Sequence, residues 1–405
     1  MKLYRVRQQL VANPITDVAA EVRRQLDLLR IAVPQADVAI TAGSRGIDNI
    51  ALITKTAGQW LREHGARPFL VPAMGSHNGA TAEGQRKMVE SLGLTEQAMD
   101  MPIRSSMEVV KVGSVATGDV YMDRYCYESA GVLVLNRVKL HTCFSGPVQS
   151  GLVKMMVVGM GKIKSAETFH STPTAQMKDM LLDMGKFLLG TGKIWAGLAI
   201  LEDGYDKTAE LHAVRPDDIL TVEPQLLERN RHYFPRLPVD ALNVLVVESI
   251  GKTYSGTGMD PNVIGFRGVK NYEDVVKPDI RIIAALRLAE ASQGNAIGVG
   301  LADFITRDLR ERIDEEKMFI NVFTTGDMER AKIPATVADD ETLVAKMRER
   351  YGERRWMFIP NTLHLETLYV TEDLVDEISR NAICRVASEP LELEFAGGRQ
   401  QLEWK

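Results

Sequence analysis

The chain has 405 residues, of which 45% are hydrophobic and 25% charged, with a formal net charge of -5. This length exceeds one comfortable core, so two domains are expected, and the composition excludes wholesale disorder. A mildly acidic chain has no general electrostatic reason to bind nucleic acid or anionic lipid, and no apolar run is long enough to span a bilayer.

The start, MKLYRVRQQLVANPITD, lacks the apolar run of a signal peptide. VAAEVRRQLDLLRIAV has the three- and four-residue apolar spacing of a surface helix, and DVAITAG follows as a short buried strand. IDNIALITKTAGQWLREHG reads as a helix stopping at Gly65, RPFLVPAMG as a strand and ATAEGQRKMVESLGL as a helix. GVLVLN is a strand, AQMKDMLLDMGKFLLG a helix and GLAILED a strand. Two prolines in RHYFPRLPVD (231–240) mark a boundary and a hinge. Beyond it come the strand ALNVLVVESIGK, the loop SGTGMDPNVIG and the strand DIRIIAAL. A helix-like stretch ASQGNAIGVGLADFITRDLRERID, a strand MFINVFTT and a terminal hairpin PLELEFAGGRQQLEWK complete the chain.

This alternation predicts an α/β protein: two α/β domains with mainly parallel sheets and an active-site cleft between them. The N-terminal α/β domain is expected over 1–238 and the C-terminal one over 239–405. Three scattered cysteines (Cys126, Cys143, Cys384), without a CxxC pair, offer neither a disulfide framework nor a zinc knuckle and suit a reducing cytoplasm.

Parallel sheets bind ligands at loops beyond their strand C-termini. Here those loops are AGSRG (42–46), MGSHNGAT (74–81) and NRVKLHT (136–142), each mixing glycine or a turn residue with a cation or histidine. The glycine signatures themselves are incomplete. GMGKIKS lacks the first P-loop glycine, position 156 being Met, and SGTGMD and GVGLAD lack the last glycine of a dinucleotide fingerprint, so tight turns explain them.

Among the seven histidines, His64 and His232 lie in charged surroundings and read as solvent-facing, while His212 and His364 read as structural. His77, His141 and His170 differ, because glycine loops let a backbone approach a ligand and a following helix N-terminus can hold an anion. Three chemistries suit them. They could form a zinc-type centre, although no HxH or HExxH spacing is present. Two could act as an acid/base pair at neutral pH. One could be the single protein ligand of a metal cofactor. Arg45, in a small-residue loop, reads as an anion clamp for a carboxylate or as a surface ion pair. Lys154 precedes MMVV in a segment that should be buried, so it is paired, snorkelling or desolvated toward its reactive neutral amine. Lys162 and Lys164 are expected to face solvent or phosphate, and Lys139 to do either.

Taken together, TAGSRG, MGSHNGAT, NRVKLHTCFSG, SGLVKMMVVGMGK and the FH at 169–170 resemble the nickel-dependent lactate racemase superfamily, most closely over residues 40–170. SGTGMDPNVIG and SQGNAIGVGLAD resemble its smaller C-terminal domain. The resemblance implies a nickel-pincer nucleotide covalently attached through Lys154, with His170 as the nickel ligand. It makes His77 and His141 the acid/base pair and Arg45 the clamp for the carboxylate of a small-molecule 2-hydroxy acid. Gly75 would lie against the cofactor. Ser44, Gln293, Asn295 and Asp303 would be polar contacts, Gln293 toward substrate and the others toward the nucleotide. The chain departs from the family in three places. Ala42-Gly43-Ser44 stands where the lactate enzyme has an acidic residue before its arginine loop. The segment from His141 to Lys154 is longer, and Gln293 has no lysine three residues on. All three surround the substrate, which leaves lactate, another short acid or a sugar acid as the expected molecule. The reaction implied is inversion at C2 in the cytoplasm. The rival readings are a metal-dependent hydrolase or lyase with His77, His141 and His170 as ligands, and a non-catalytic binding protein for the nucleotide or a hydroxy acid.

Overall fold

Helices start where short polar side chains can satisfy an orphan amide. Asp17 accepts the Ala20 amide at 2.9 Å and opens the helix Val18–Leu28. Thr81 and Asp314 open Ala82–Ser91 and Glu315–Thr325 in the same way. The computed structural model describes residues 1–404 apart from 271, 273, 274 and 276. The strands used below are β1 (Lys2–Gln8), β2 (Asp37–Ala42), β3 (Arg67–Pro72), β4 (Val109–Val115), β5 (Gly118–Asp123), β6 (Gly131–Arg137), β7 (Ile194–Glu202) and β8 (Thr208–Val214). They continue with β9 (Ala241–Ile250), β10 (Asp279–Leu288), β11 (Phe304–Thr306), β12 (Ala335–Val337), β13 (Trp356–Ile359), β14 (Thr367–Val370) and β15 (Cys384–Val386). Two compact units result: Val11–Phe234, and Met1–Leu10 together with the chain from Pro235 onward.

The Val11–Phe234 unit holds a five-stranded sheet in the order β3-β2-β6-β7-β8, parallel except for the edge strand β8. All nine residues of β7 are buried, the continuous apolar run expected of a strand covered on both faces. The helices Val18–Leu28 and Ile50–Glu63 lay Val22, Leu26, Ile53, Ala57 and Leu61 against Ile40, Leu133 and Leu135. Each such aliphatic side chain contributes about 1.5–3 kcal/mol when fully buried. Because β3, β2 and β6 are parallel neighbours, their C-termini lie side by side, and the three glycine- and histidine-bearing loops leave one edge of the sheet. The antiparallel hairpin β4–β5 was not visible in the sequence; most of its residues are only partly buried, and its apolar alternation is weak.

The other unit holds a mixed sheet ordered β12-β11-β10-β9-β13-β14-β1-β15. The strands from β12 to β13 run parallel, and β14, β1 and β15 are antiparallel to their neighbours. The sequence reading puts residues 1–10 in the first domain. They instead supply β1, inserted between β14 and β15, a long-range pairing that local pattern cannot reveal. A second difference is MFINVFTT, expected as a strand and found within the helix Glu315–Thr325. The Asp314 cap, two acidic residues in the first turn and Gly326 in the left-handed conformation at the end are helix signals that outweigh its β-branched and aromatic content. The helix-like ASQGNAIGVGLADFITRDLRERID breaks into 3-10 turns, the strand β11 and the short helix Arg307–Glu311. The terminal hairpin forms, turning through Gly397 and Gly398 at positive φ. Among the described residues no helix is long and apolar enough to cross a membrane.

Candidate active site

Lys154 and His170 sit on one interrupted helix. One α-turn (Leu152–Lys154) runs into a π-helical turn (Met155–Gly159), and after Gly161 the chain resumes as the helix Lys162–Ser171. On an uninterrupted helix two residues at this spacing would point about 160° apart. The wide turn and the break remove that constraint, and the Lys154 charge bears directly on His170. π-turns of this kind are frequent at functional sites.

Two buried ionisable groups outside the catalytic set fix this helix. Glu223 accepts the Val153 amide at 2.9 Å at the helix start, and burial pushes its carboxyl up to about 7. Gly151 is required there, since a Cβ would lie 2.4 Å from Glu223 Oε1. At the break, Lys162 is fully buried rather than facing solvent or phosphate. Its ammonium pairs with the equally buried Asp123 at 3.3 Å, donates to Gln85 Oε1 at 3.1 Å and also donates to the Pro72 carbonyl. A buried charge needs such partners, and the β4–β5 hairpin that supplies Asp123 was the element missing from the sequence reading.

His141 lies on the excursion from β6 that closes through the backbone pair Lys139–Ser150. Its amide donates to the buried Gln149 side chain at 2.7 Å, and its ring packs on Phe144 with centroids 4.3 Å apart. The Cys143 amide donates to His141 Nδ1 at 3.1 Å, and His141 Nε2 lies 2.6 Å from Lys154 Nζ. Phe169 stands 5.6 Å below the Lys154 amine. Burial first, and then the charges of Lys139 and Arg45, bring Lys154 down to about 8 against an opposing pull from Cys143. Burial first and then Lys154 hold His170 down at about 4, so its imidazole is neutral at physiological pH.

The other two loops meet the same helix. Gly75, at φ +62, donates its amide to the Gly159 carbonyl at 3.3 Å. Its carbonyl accepts from Gln85 at 2.8 Å. A Cβ on Gly75 would lie 3.3 Å from Ala166, so the loop bearing His77 is seated on the helix bearing His170. Gly43 similarly faces Met155, at 3.4 Å from where its own Cβ would be. Ser44 Oγ is hydrogen-bonded to His77 Nδ1, an orienting contact for the histidine that differs from the nucleotide contact expected of Ser44. Arg45 has no ion pair or hydrogen bond among the described residues, and burial together with Arg137 lowers its pKa. The surface ion pair considered for it is absent, while Arg137 is paired with Glu202. An uncommitted guanidinium beside a desolvated amine can hold an anion.

Ser44, Arg45, Gly75, His77, His141, Lys154 and His170 therefore belong to the Val11–Phe234 unit, and Gln293, Asn295 and Asp303 to the other. Gln293, at φ +47, receives the Lys317 ammonium on its carbonyl at 2.9 Å. Asn295 donates to the Lys317 carbonyl at 3.4 Å, and Asp303 accepts the Ile283 amide at 2.8 Å. His212, read as structural, is bound to Glu210 at 2.7 Å. Among the described residues no three His, Cys, Asp or Glu side chains gather as a metal-ligating group, so the geometry gives no support to a three-histidine centre.

No protein-family model and no curated protein sequence matches the chain. Its fold is similar to that of the lactate racemase apoprotein from Thermoanaerobacterium thermosaccharolyticum. The TM-score is 0.53 at 11% sequence identity, over 88% of this chain and 94% of that one. The likeness establishes a shared α/β fold.

Proposed function

We propose that the chain is a cytoplasmic racemase or epimerase that inverts C2 of a 2-hydroxy acid, with a nickel-pincer nucleotide tethered to Lys154 and its nickel held by His170. The carrying observation is the Lys154–His141 contact at 2.6 Å beside the uncommitted Arg45. The residues fit the group on three counts. Lys154 is desolvated toward the neutral amine that a covalent bond to carbon requires. His170 is neutral, as a metal ligand must be, and no hydrogen bond engages its ring among the described residues. Gly43 and Gly75 let the loops bearing Arg45 and His77 close onto the helix that carries Lys154 and His170.

When bound, the group supplies an electrophilic ring able to take up the C2 hydrogen as hydride and return it to either face. The chain's own residues do the rest. Arg45 holds the substrate carboxylate through a two-pronged hydrogen bond. Inversion requires that the hydroxyl proton be removed and restored from two sides, and His77 and His141 are the two groups for it. Ser44 orients the His77 ring through Nδ1, and Cys143 and Phe144 orient His141. The buried aliphatic and aromatic surroundings, Phe144, Phe169 and Met155, exclude water from the reacting atoms. The lack of an acidic residue at Ala42-Gly43-Ser44 favours an acid other than lactate.

The test is a panel of single-enantiomer 2-hydroxy acids followed by chiral chromatography, using protein made in a host that builds the cofactor. Inversion of at least one acid is expected, with His77→Asn and His141→Asn each lowering kcat by about 10²–10⁴-fold. A panel left uniformly unchanged, with the cofactor demonstrably loaded, would overturn the proposal.

A further inference from the structure

We infer that His141 and the Cys143 amide stabilise the neutral amine of Lys154, so that the chain presents its own nucleophile for acylation at Nζ before any turnover. The inference deepens the tether reading and rests on it only for the identity of the natural acyl donor.

Donors and acceptors set the charge state of the lysine. The Cys143 N–H donates to His141 Nδ1 at 3.1 Å, so Nδ1 carries a lone pair. A neutral imidazole with an accepting Nδ1 has its proton on Nε2. That proton points at Lys154 Nζ, 2.6 Å away. An ammonium has only donors and cannot accept it; a neutral amine has one lone pair and can. The backbone of the 139–150 excursion thus selects the imidazole tautomer, and the tautomer selects the charge state of the lysine. The surroundings agree independently. Burial first, and then Lys139 and Arg45, oppose a charge on Lys154, and they outweigh the opposing pulls of Cys143 and of the Phe169 ring face 5.6 Å away.

The step balances without an oxidant or reductant. Rotation of the amine off Nε2–H frees the Nζ lone pair, which attacks the carbonyl carbon of a carboxyl derivative that carries a leaving group. The N–C bond forms and the bond to the leaving group breaks. His141 gives its Nε2 proton to the leaving group and takes one Nζ proton in exchange, so the products are the Lys154 amide, the protonated leaving group and the starting imidazole. The amide nitrogen no longer accepts from Nε2, which frees His141 for its role toward the substrate hydroxyl. Loading and catalysis become successive uses of one histidine.

The experiment uses the full-length unmodified protein and limiting N-hydroxysuccinimide ester of acetic acid between pH 6 and 9. Peptide mass spectrometry reads acetylation at Lys154 and at Lys87, whose side chain is 70% exposed. Lys154 labelling is expected to reach half-maximum near pH 8, with Lys87 as the exposed reference. His141→Asn should lower the Lys154 rate at pH 7 roughly five-fold, the worth of one hydrogen bond, and leave Lys87 unchanged. His141→Gln, whose longer side chain brings an amide donor within reach of Nζ, should recover part of that loss and serves if the asparagine variant does not fold. A Lys154 profile parallel to that of Lys87, no labelling of Lys154, or a profile unmoved by both variants would overturn the inference. Failure of the tether reading alone would leave the Lys154 half-maximum near pH 8.

Discussion

Replacing Lys162 by Met tests how the site is held. Lys162 and Asp123 are both fully buried, and among the described residues no hydrogen bond reaches Asp123 Oδ2, which the ammonium at 3.3 Å compensates. Breaking a buried pair by deleting one partner typically costs about 3–5 kcal/mol, because the other charge is stranded. Burial already raises the Asp123 pKa, so the stranded carboxyl takes up a proton, which places the expected loss near the lower figure, about 3 kcal/mol. The double variant Lys162→Met/Asp123→Asn should recover about 2 kcal/mol. The asparagine oxygen can still accept the Tyr125 and Cys126 amides that Asp123 holds at 2.8 and 3.1 Å. Urea unfolding followed by circular dichroism reads both values by linear extrapolation. A loss under about 1 kcal/mol for the single variant, or no recovery in the double, would refute the claim that this pair anchors the helix and the loop after β3.

Three further outcomes follow from the same geometry. Gly75→Ala places a Cβ at φ +62 and 3.3 Å from Ala166, so it should cost about 1–2 kcal/mol in urea unfolding and lower His77-dependent turnover. Arg45→Gln should raise KM for a 2-hydroxy acid by roughly 10–100-fold, read in steady-state kinetics, as a charged hydrogen-bonding partner is lost. His170 and Glu223 should pull stability in opposite directions with pH. The His170 pKa is lowered from 6.5 to about 4, so its contribution is present above 6.5 and is lost as pH falls toward 4. The Glu223 pKa is raised from 4.5 to about 7, so its contribution is present below 4.5 and is lost as pH rises toward 7. Relative to the unaltered protein, stability from urea unfolding should rise less steeply with pH in His170→Asn and more steeply in Glu223→Gln, by up to about 3 kcal/mol across each window.

The loops of the site were legible because parallel strands ending in glycine place ligand-facing residues at their C-termini, and AGSRG, MGSHNGAT and NRVKLHT each do so. Lys154 was legible as a lysine before an apolar run. His141 was legible as a loop histidine, but its contact with Lys154 was not, because that contact depends on an excursion that folds back through Lys139 and Ser150. Glu223 binds a backbone amide seventy positions earlier in the chain and reads in sequence as an ordinary polar residue of a surface helix. Lys162 looked exposed because its partner Asp123 ends a hairpin with weak strand pattern. Similarly, β1 is defined by pairing with strands more than 350 residues away, which local periodicity cannot register. MFINVFTT shows the converse: caps on both sides carried the information, and the strand-like composition between them misled.

The central claim is that Lys154 carries the cofactor and His170 its nickel. Mass analysis of the peptide bearing Lys154, with nickel quantified in the same sample, tests it directly in protein made by a host that builds the cofactor. The account predicts a covalent mass increase on Lys154 and stoichiometric nickel that falls in His170→Asn while the adduct remains. An unmodified Lys154 without nickel, from a host shown to load another protein with the group, would contradict it.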